Sequence, residues 1–239
     1  MTWQEDYLAR FYRGRPGWRD GTREFHDLCR ANIPQGARIL EVGAGPTNPT
    51  SRFLASLGTL TGADPDPAVR DNTALAAAAT IEAGRLPFAD AAFDAVVSNY
   101  VVEHVADPSQ HLAEIRRVLA PHGRYVFRTP NRHHYVATVS WLTPHWFHAL
   151  VANRLRGRGH GDHDPYPTSY AMNTERAVTE LAAARGFAVT SLRHVEKEPS
   201  YAMLARPLFL AGVAYERTVN ASEALRHLRS NLFVVLTRS

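Results

Sequence analysis

Short apolar runs alternate along this chain with segments in which apolar residues recur every three or four positions, and the alternation begins at Arg38-Ile39-Leu40-Glu41-Val42. That run, bounded by Gly43 and Gly45, predicts a buried strand. A helix is predicted next: Asn48 caps it, Pro49 suits its first turn, Phe53, Leu54 and Leu57 form its apolar stripe, and Gly58 ends it. Residues 59–64 predict a second strand, stopped by Pro65 and Pro67, and the alanine-rich stretch behind it predicts a helix. A short third strand is predicted over residues 80–83 and a fourth over Phe93–Asn99. Asp107 and Pro108 then open a helix whose stripe is Leu112, Ile115, Val118 and Leu119; Pro121 and Gly123 close it, and residues 125–127 give a fifth strand.

From 130 to 172 the period breaks into Trp, His, Pro and Gly, which predicts an insertion over the strand ends, a lid. A helix is predicted from Asn173 to Gly186, a strand over 187–193, an apolar segment over 201–215, a helix over 222–230 and a last strand over 232–236. Repeated strand-helix order implies a parallel sheet covered on both faces, with ligands beyond the carboxyl ends of its strands. The expected organisation is a single domain: an N-terminal helical segment (1–35), a core (36–129), the lid (130–172), and C-terminal core strands (173–239) carrying an apolar helical insertion (199–230).

Composition narrows this picture in a few places. The 239 residues are 45% hydrophobic and 21% charged, ordinary values for one packed domain. Cys29 is the only cysteine and the N-terminus lacks an apolar signal core, so a cytoplasmic location is expected. The formal charge is +4, and Lys197 is the only lysine, so the cations are arginines. They are spread along the chain with local density only at Arg154, Arg156 and Arg158, which disfavours a nucleic-acid partner. Arg206 and Pro207 interrupt the apolar segment 201–215, which falls short of the ~20 apolar residues of a membrane span. It is read as core packing, a cap on the site, a homodimer contact or a contact for a lipid-like substrate.

Glu41-Val42-Gly43-Ala44-Gly45 places a carboxylate at a strand end before two glycines, where the backbone turns tightly and approaches a ligand. Alone the signal is weak. A nicotinamide-binding fold would put its third glycine at position 48, which is Asn48. Asp64, ending the second strand, sits where the two oxygens of a carboxylate can accept both hydroxyls of a ribose.

From here the chain resembles the class I S-adenosylmethionine-dependent methyltransferases, specifically the broad small-molecule group with an LPF…FD…EH pattern. The matching blocks are Ile39 through Gly45, Gly62-Ala63-Asp64, Leu86-Pro87-Phe88 with Phe93-Asp94, Glu103-His104-Val105, Glu114-Ile115-Arg116-Arg117-Val118-Leu119 through Gly123, and Thr129-Pro130-Asn131. They cover roughly residues 36 to 131. The resemblance implies a Rossmann-like, doubly wound, mostly parallel seven-stranded sheet with helices on both faces, and S-adenosyl-L-methionine as cofactor. It implies that Glu41 and the backbone of Gly43, Ala44 and Gly45 meet the methionine part, Asp64 the ribose, and Glu82 and Ala83 the adenine. Asn99 and Tyr100 would line the methyl-transfer side. Two departures stand out: Pro46-Thr47-Asn48 cut the glycine motif short, and Glu82 replaces an Asp often seen near the adenine. Ser98-Asn99-Tyr100-Val101 stands where base-methylating enzymes carry Asn/Asp-Pro-Pro-Tyr, so methylation of DNA or RNA bases is disfavoured.

Methyl transfer from a sulfonium needs alignment and exclusion of water; a hydroxyl acceptor also needs a base, for which histidine has a suitable unperturbed pKa of about 6.5. The candidates are His133 and His134, which follow a strand end, His104 and His163; an amine acceptor needs none. Trp141, Trp146, His163, Tyr166 and Tyr170 are the candidate substrate contacts, an aromatic wall that equally pins a lid to the core. His160-Gly161-Asp162-His163-Asp164 matches no familiar ligand motif and is read as a polar loop, not a metal site. The expected activity is methylation of a hydroxyl or amine on a small metabolite, in secondary-metabolite or glycan tailoring. The alternatives are a protein of the same fold and cofactor that promotes another reaction, and a nicotinamide-dependent oxidoreductase.

Overall fold

The computed structural model describes residues 2–136 and 167–239. Seven strands form one sheet in the order β3-β2-β1-β4-β5-β7-β6. They are β1 (Ala37–Val42), β2 (Gly58–Asp64), β3 (Ala77–Thr80), β4 (Phe93–Asn99), β5 (Leu119–Pro130), β6 (Phe187–Val195) and β7 (Asn231–Arg238). The pairs β1–β2, β2–β3, β1–β4 and β4–β5 are parallel. The chain runs outward from β1 to β3 and then restarts at β4 on the other side of β1. This reversal opens a crevice beyond the carboxyl ends of β1 and β4.

The helices are α1 (Trp3–Leu8), α2 (Gly21–Asn32), α3 (Pro49–Ala55), α4 (Pro108–Val118), α5 (Glu175–Ala184) and α6 (Arg206–Ala221). The chain divides into two compact units where the sequence reading has one domain. One comprises Thr22–Pro130, Pro167–Arg193 and Leu232–Ser239, and holds nearly the whole sheet; the other comprises Met1–Gly21, Asn131–Tyr166 and His194–Asn231.

In the sheet unit Leu40, Val96, Tyr125, Phe127, Val234 and Leu236 are buried with Leu112, Ile115 and Val118 of α4 and Val178 and Ala182 of α5. Each large side chain so removed from water contributes about 1.5–3 kcal/mol. α4 starts where the sequence places it, because the Asp107 carboxylate accepts the Gln110 amide at 2.9 Å. The same helix explains two of the sequence blocks. Glu114 accepts the Leu86 amide at 2.9 Å, while the Arg117 guanidinium donates to the Leu86 and Phe88 carbonyls at 2.8 and 2.7 Å and to Asp90 at 2.9 Å. The Leu86-Pro87-Phe88 turn is thus held by residues three apart on α4.

Three elements differ from the sequence reading. The alanine-rich stretch is not a helix: Ala77–Thr80 is β3 itself, ahead of the predicted residues 80–83, and Pro67–Asp71 is only a short 3-10 turn. Helix propensity loses there to tertiary pairing, since Ala77 to Thr80 lie in parallel register with Thr61 to Asp64 and the Ala76 amide donates to the Leu60 carbonyl at 2.8 Å. Asn173 does not begin α5; Thr174 caps it through the Ala177 amide, and the Asn173 side-chain amide donates to Thr129 Oγ1 and the Pro130 carbonyl. Residues 222–230 hold only a 3-10 turn, Glu223–Leu228, and the helix of this region is α6. There Pro207 occupies the first turn, where its missing N–H costs nothing, and Phe209, Gly212, Val213 and Val219 make a buried stripe.

In the second unit α1 carries a capping box between Thr2 and Glu5 and runs on through a wider turn, Ala9–Arg13. Trp3, Tyr7, Phe11 and Tyr12 pack their rings on Phe209 of α6 at centroid distances of 5.7 to 6.3 Å. Among the described residues no helix is long and apolar enough to cross a membrane. The lid expectation falls largely on 137–166, outside the described residues.

Candidate active site

The site is built around the bend that follows β1. Gly43 and Gly45 take φ of +75° and +52°, a left-handed conformation that costs other residues about 1–2 kcal/mol. They differ in what surrounds them. A methyl group on Gly43 would drive into Val101, whereas one on Gly45 would meet nothing within 4 Å. The bend is packed behind its first glycine and open at its second.

Two carboxylates fasten this bend. Asp64, at the end of β2, accepts the Gly45 amide at 3.0 Å on one oxygen and the Asp66 amide at 2.8 Å on the other. Each oxygen keeps a second acceptor direction. Glu41, at the end of β1 and only 2% exposed, accepts the Ser51 hydroxyl at 2.6 Å. Burial pushes its carboxyl up to about 7, against the Ser51 hydrogen bond and with a smaller push from Asp64. Glu41 is therefore turned into the protein, behind the loop it supports.

Ser51 is the hub that the sequence reading missed. It accepts from Asn48 Nδ2 at 2.9 Å and from Asn72 Nδ2 at 3.0 Å. Asn72 also donates to the Gly45 carbonyl at 3.2 Å, and Asn48 to the Ala44 carbonyl at 2.8 Å. Asn48 caps α3 as well, accepting from Thr50 and Ser51 amides. The residue that replaces a third glycine is thus the one that anchors the bend. The cap was readable from sequence; Asn72, twenty-seven residues beyond Gly45, carried no local signal.

On the far side of β1, Asn99 ends β4 and Tyr100 follows it. The Arg128 guanidinium, on a residue 5% exposed at the end of β5, donates to Asn99 Oδ1 and to Thr22 Oγ1 and lies 4.4 Å from the Tyr100 ring. Tyr100 holds φ of +59°, and its amide donates to the Arg128 carbonyl at 3.1 Å. Arg128 was also missed, because only the fold brings it to this pair. Asn99 Nδ2 donates to Thr50 at the start of α3, tying the two strand ends together. Ile81 donates its amide to the Asp64 carbonyl, which places Glu82 and Ala83 just past the ribose candidate; both are exposed, and Ala83 has a φ of +49°.

The candidate bases fall in different places. Glu103 is buried and accepts the Thr129 hydroxyl at 3.0 Å, so that acid locks the end of β5. His104 next to it is half-buried, with Nδ1 at 3.2 Å from the Pro167 carbonyl. A carbonyl only accepts, so Nδ1 is the donor in this contact. His133 and His134 belong to the other unit. His133 is exposed; His134 is buried beside Tyr135 and Tyr215, with Nε2 3.4 Å from Glu196. Among the described residues Nε2 has no aligned hydrogen-bond partner. Burial pushes that imidazole down to about 4 and the Glu196 carboxyl up to about 7, so at neutral pH the imidazole is uncharged and the contact is not an ion pair. Of the aromatic wall, Tyr170 donates its amide to the Glu103 carbonyl. Trp141, Trp146, His163 and Tyr166, like the polar loop 160–164, lie outside the described residues.

Residues 40–127 match the family model described as a methyltransferase domain. An uncharacterized methyltransferase of Mycobacterium sp. (strain KMS) is 30% identical over 200 residues, which are 74% of this chain and 73% of that one. A demethylmenaquinone methyltransferase of Mycolicibacterium vanbaalenii is 35% identical over 122 residues, 47% of this chain and 50% of that one. The chain spans 31% and 48% of the length of two further curated relatives. Among solved structures, a geranyl diphosphate C-methyltransferase of Streptomyces coelicolor A3(2), crystallised with S-adenosyl-L-homocysteine, superposes with a TM-score of 0.57 at 14% identity, covering 91% of this chain and 79% of that one. A mostly parallel sheet with a carboxylate-braced glycine bend at its switch point is the arrangement of nucleoside-cofactor folds. The chain belongs to the class I S-adenosylmethionine-dependent methyltransferases.

Proposed function

We propose that this chain transfers the methyl group of S-adenosylmethionine to a hydroxyl or amine of a small metabolite, a tailoring step in secondary-metabolite or glycan assembly. The observation that carries the reading is the convergence of Asp64 and, through Ser51 and Asn72, Glu41 on one glycine bend that is open at Gly45. Those residues fit the cofactor: a carboxylate with acceptor directions to spare suits ribose hydroxyls, and a backbone without side chain admits close approach.

When bound, S-adenosylmethionine supplies an electrophilic methyl on a sulfonium, and the chemistry is its own. Asp64 binds the ribose and fixes the bend by the same carboxylate. Glu41, Ser51 and Asn72 keep the bend from relaxing. Arg128 orients Asn99 and Tyr100 towards the acceptor. For a hydroxyl acceptor, His104, His133 and His134 are the candidates to take the proton, His104 being the one oriented by the Pro167 carbonyl, and an amine acceptor needs no base.

The test is incubation of the full chain with methyl-labelled S-adenosylmethionine and a panel of hydroxyl and amine acceptors. Labelled product with stoichiometric S-adenosylhomocysteine supports the reading. Tight cofactor binding without turnover across the panel would instead support a non-methylating reaction on the same fold.

A further inference from the structure

The outward face of α6 is apolar. With Phe209 buried, a helical spacing of roughly 100° per residue sends Pro207, Ala211, Ala214 and Thr218 to the opposite side and sets Leu208 and Leu210 on its two edges. Leu208 and Leu210 are 53% and 43% exposed, and Leu204 just before the helix is 39% exposed. These three are most of the large exposed hydrophobics among the described residues. No acidic residue occurs from 199 to 215.

Cations flank this face. Arg206 and Arg217 emerge on the side of Leu210 and lie 6.0 and 5.7 Å from the Tyr7 and Phe11 rings. Arg10 lies 5.6 Å from Phe11, and Arg13, Arg15 and Arg19 follow it, all exposed, in a stretch from Tyr7 to Arg19 without an acid. The aromatic cluster thus carries Arg10, Arg206 and Arg217 on its rings, and the helix that buries Phe209 in it carries the exposed Leu208 and Leu210.

We propose that the α6 face docks this protein on an anionic lipid surface, its leucines entering the headgroup boundary and its arginines meeting lipid phosphates. An amphipathic helix with this division lies in the plane of an interface and does not cross it. Each arginine near such a surface adds attraction that salt screens. A second copy fits the face less well, since a two-fold contact would bring Arg206 and Arg217 of both copies together. An anionic surface offers those guanidiniums an opposite charge instead.

The experiment is co-sedimentation of the full chain with vesicles of phosphatidylcholine alone and of phosphatidylcholine with phosphatidylglycerol, across a salt series. The expected result is partitioning onto the anionic vesicles only, weakening as salt rises. Leu208→Ser with Leu210→Ser lowers the partition coefficient roughly tenfold or more, with helical content unchanged by circular dichroism. Equal binding to both vesicle types, no binding to either, or binding indifferent to salt overturns the proposal on the wild-type chain alone, whether or not the variant folds. A concentration-dependent dimer that the two serines dissolve, with no vesicle binding, assigns the face to a second copy.

Discussion

Replacing Asp64 by alanine separates its two duties. In the free protein the carboxylate holds the Gly45 and Asp66 amides at 3.0 and 2.8 Å. Both amides border the half-exposed loop, so water replaces the lost acceptor, and the folding cost is about 1 kcal/mol. The cofactor loses more. A carboxylate taking both ribose hydroxyls makes charge-assisted hydrogen bonds, and their loss weakens binding by about 1.5–3 kcal/mol, roughly a ten- to hundredfold rise in Kd. Asp64→Asn falls between, because one acceptor remains while the amide nitrogen faces a backbone donor. Isothermal titration with S-adenosylhomocysteine gives the affinities and a denaturant curve the stability. Affinity equal to wild type in a folded Asp64→Ala chain would refute the assignment of the ribose to this residue.

Three further outcomes follow from the same geometry. Gly45→Ala folds with a loss of about 1–2 kcal/mol yet binds cofactor much less well, whereas Gly43→Ala adds a clash with Val101 and is the less stable of the two in denaturant melts; the reverse order contradicts an open bend at Gly45. Between pH 4.5 and about 7 the unfolded chain has released the Glu41 proton while the folded chain keeps it, so this group lowers stability as pH rises through that window. Glu41→Gln removes that slope, gaining on wild type by at most about 3 kcal/mol between pH 5 and 8 in chemical denaturation, and a parallel pH profile for the two proteins would show Glu41 ionised throughout. His104→Gln lowers kcat on a hydroxyl acceptor by about 10²–10⁴ and leaves Kd for cofactor unchanged; an unaltered kcat transfers the role of base to another group.

What the sequence displays and what it conceals follow from the range of the forces involved. β1, β4 and α4 are legible because each rests on local pattern: a β-branched run before glycines, a short apolar run ending at Asn99, a cap at Asp107 with Pro108 behind it. β3 is not, because four small residues with helical preference are held extended only by the partner strand. The same division runs through the site. Glu41, Gly43, Gly45 and Asp64 announce themselves at strand ends, but Ser51, Asn72 and Arg128 join them through hydrogen bonds spanning up to 29 positions between partners, which no window on the chain contains. The reading of Glu41 as a direct contact of the methionine part also changes in emphasis, since its carboxyl faces Ser51 and braces the bend from behind.

The most direct test of the account is a co-crystal structure of the full chain with S-adenosylhomocysteine. The ribose hydroxyls should lie within about 3.2 Å of the Asp64 carboxylate, with the amino-acid part along the Gly43–Gly45 backbone. Ligand bound elsewhere, or Asp64 engaged only with Gly45 and Asp66 while the ribose finds other partners, would contradict it.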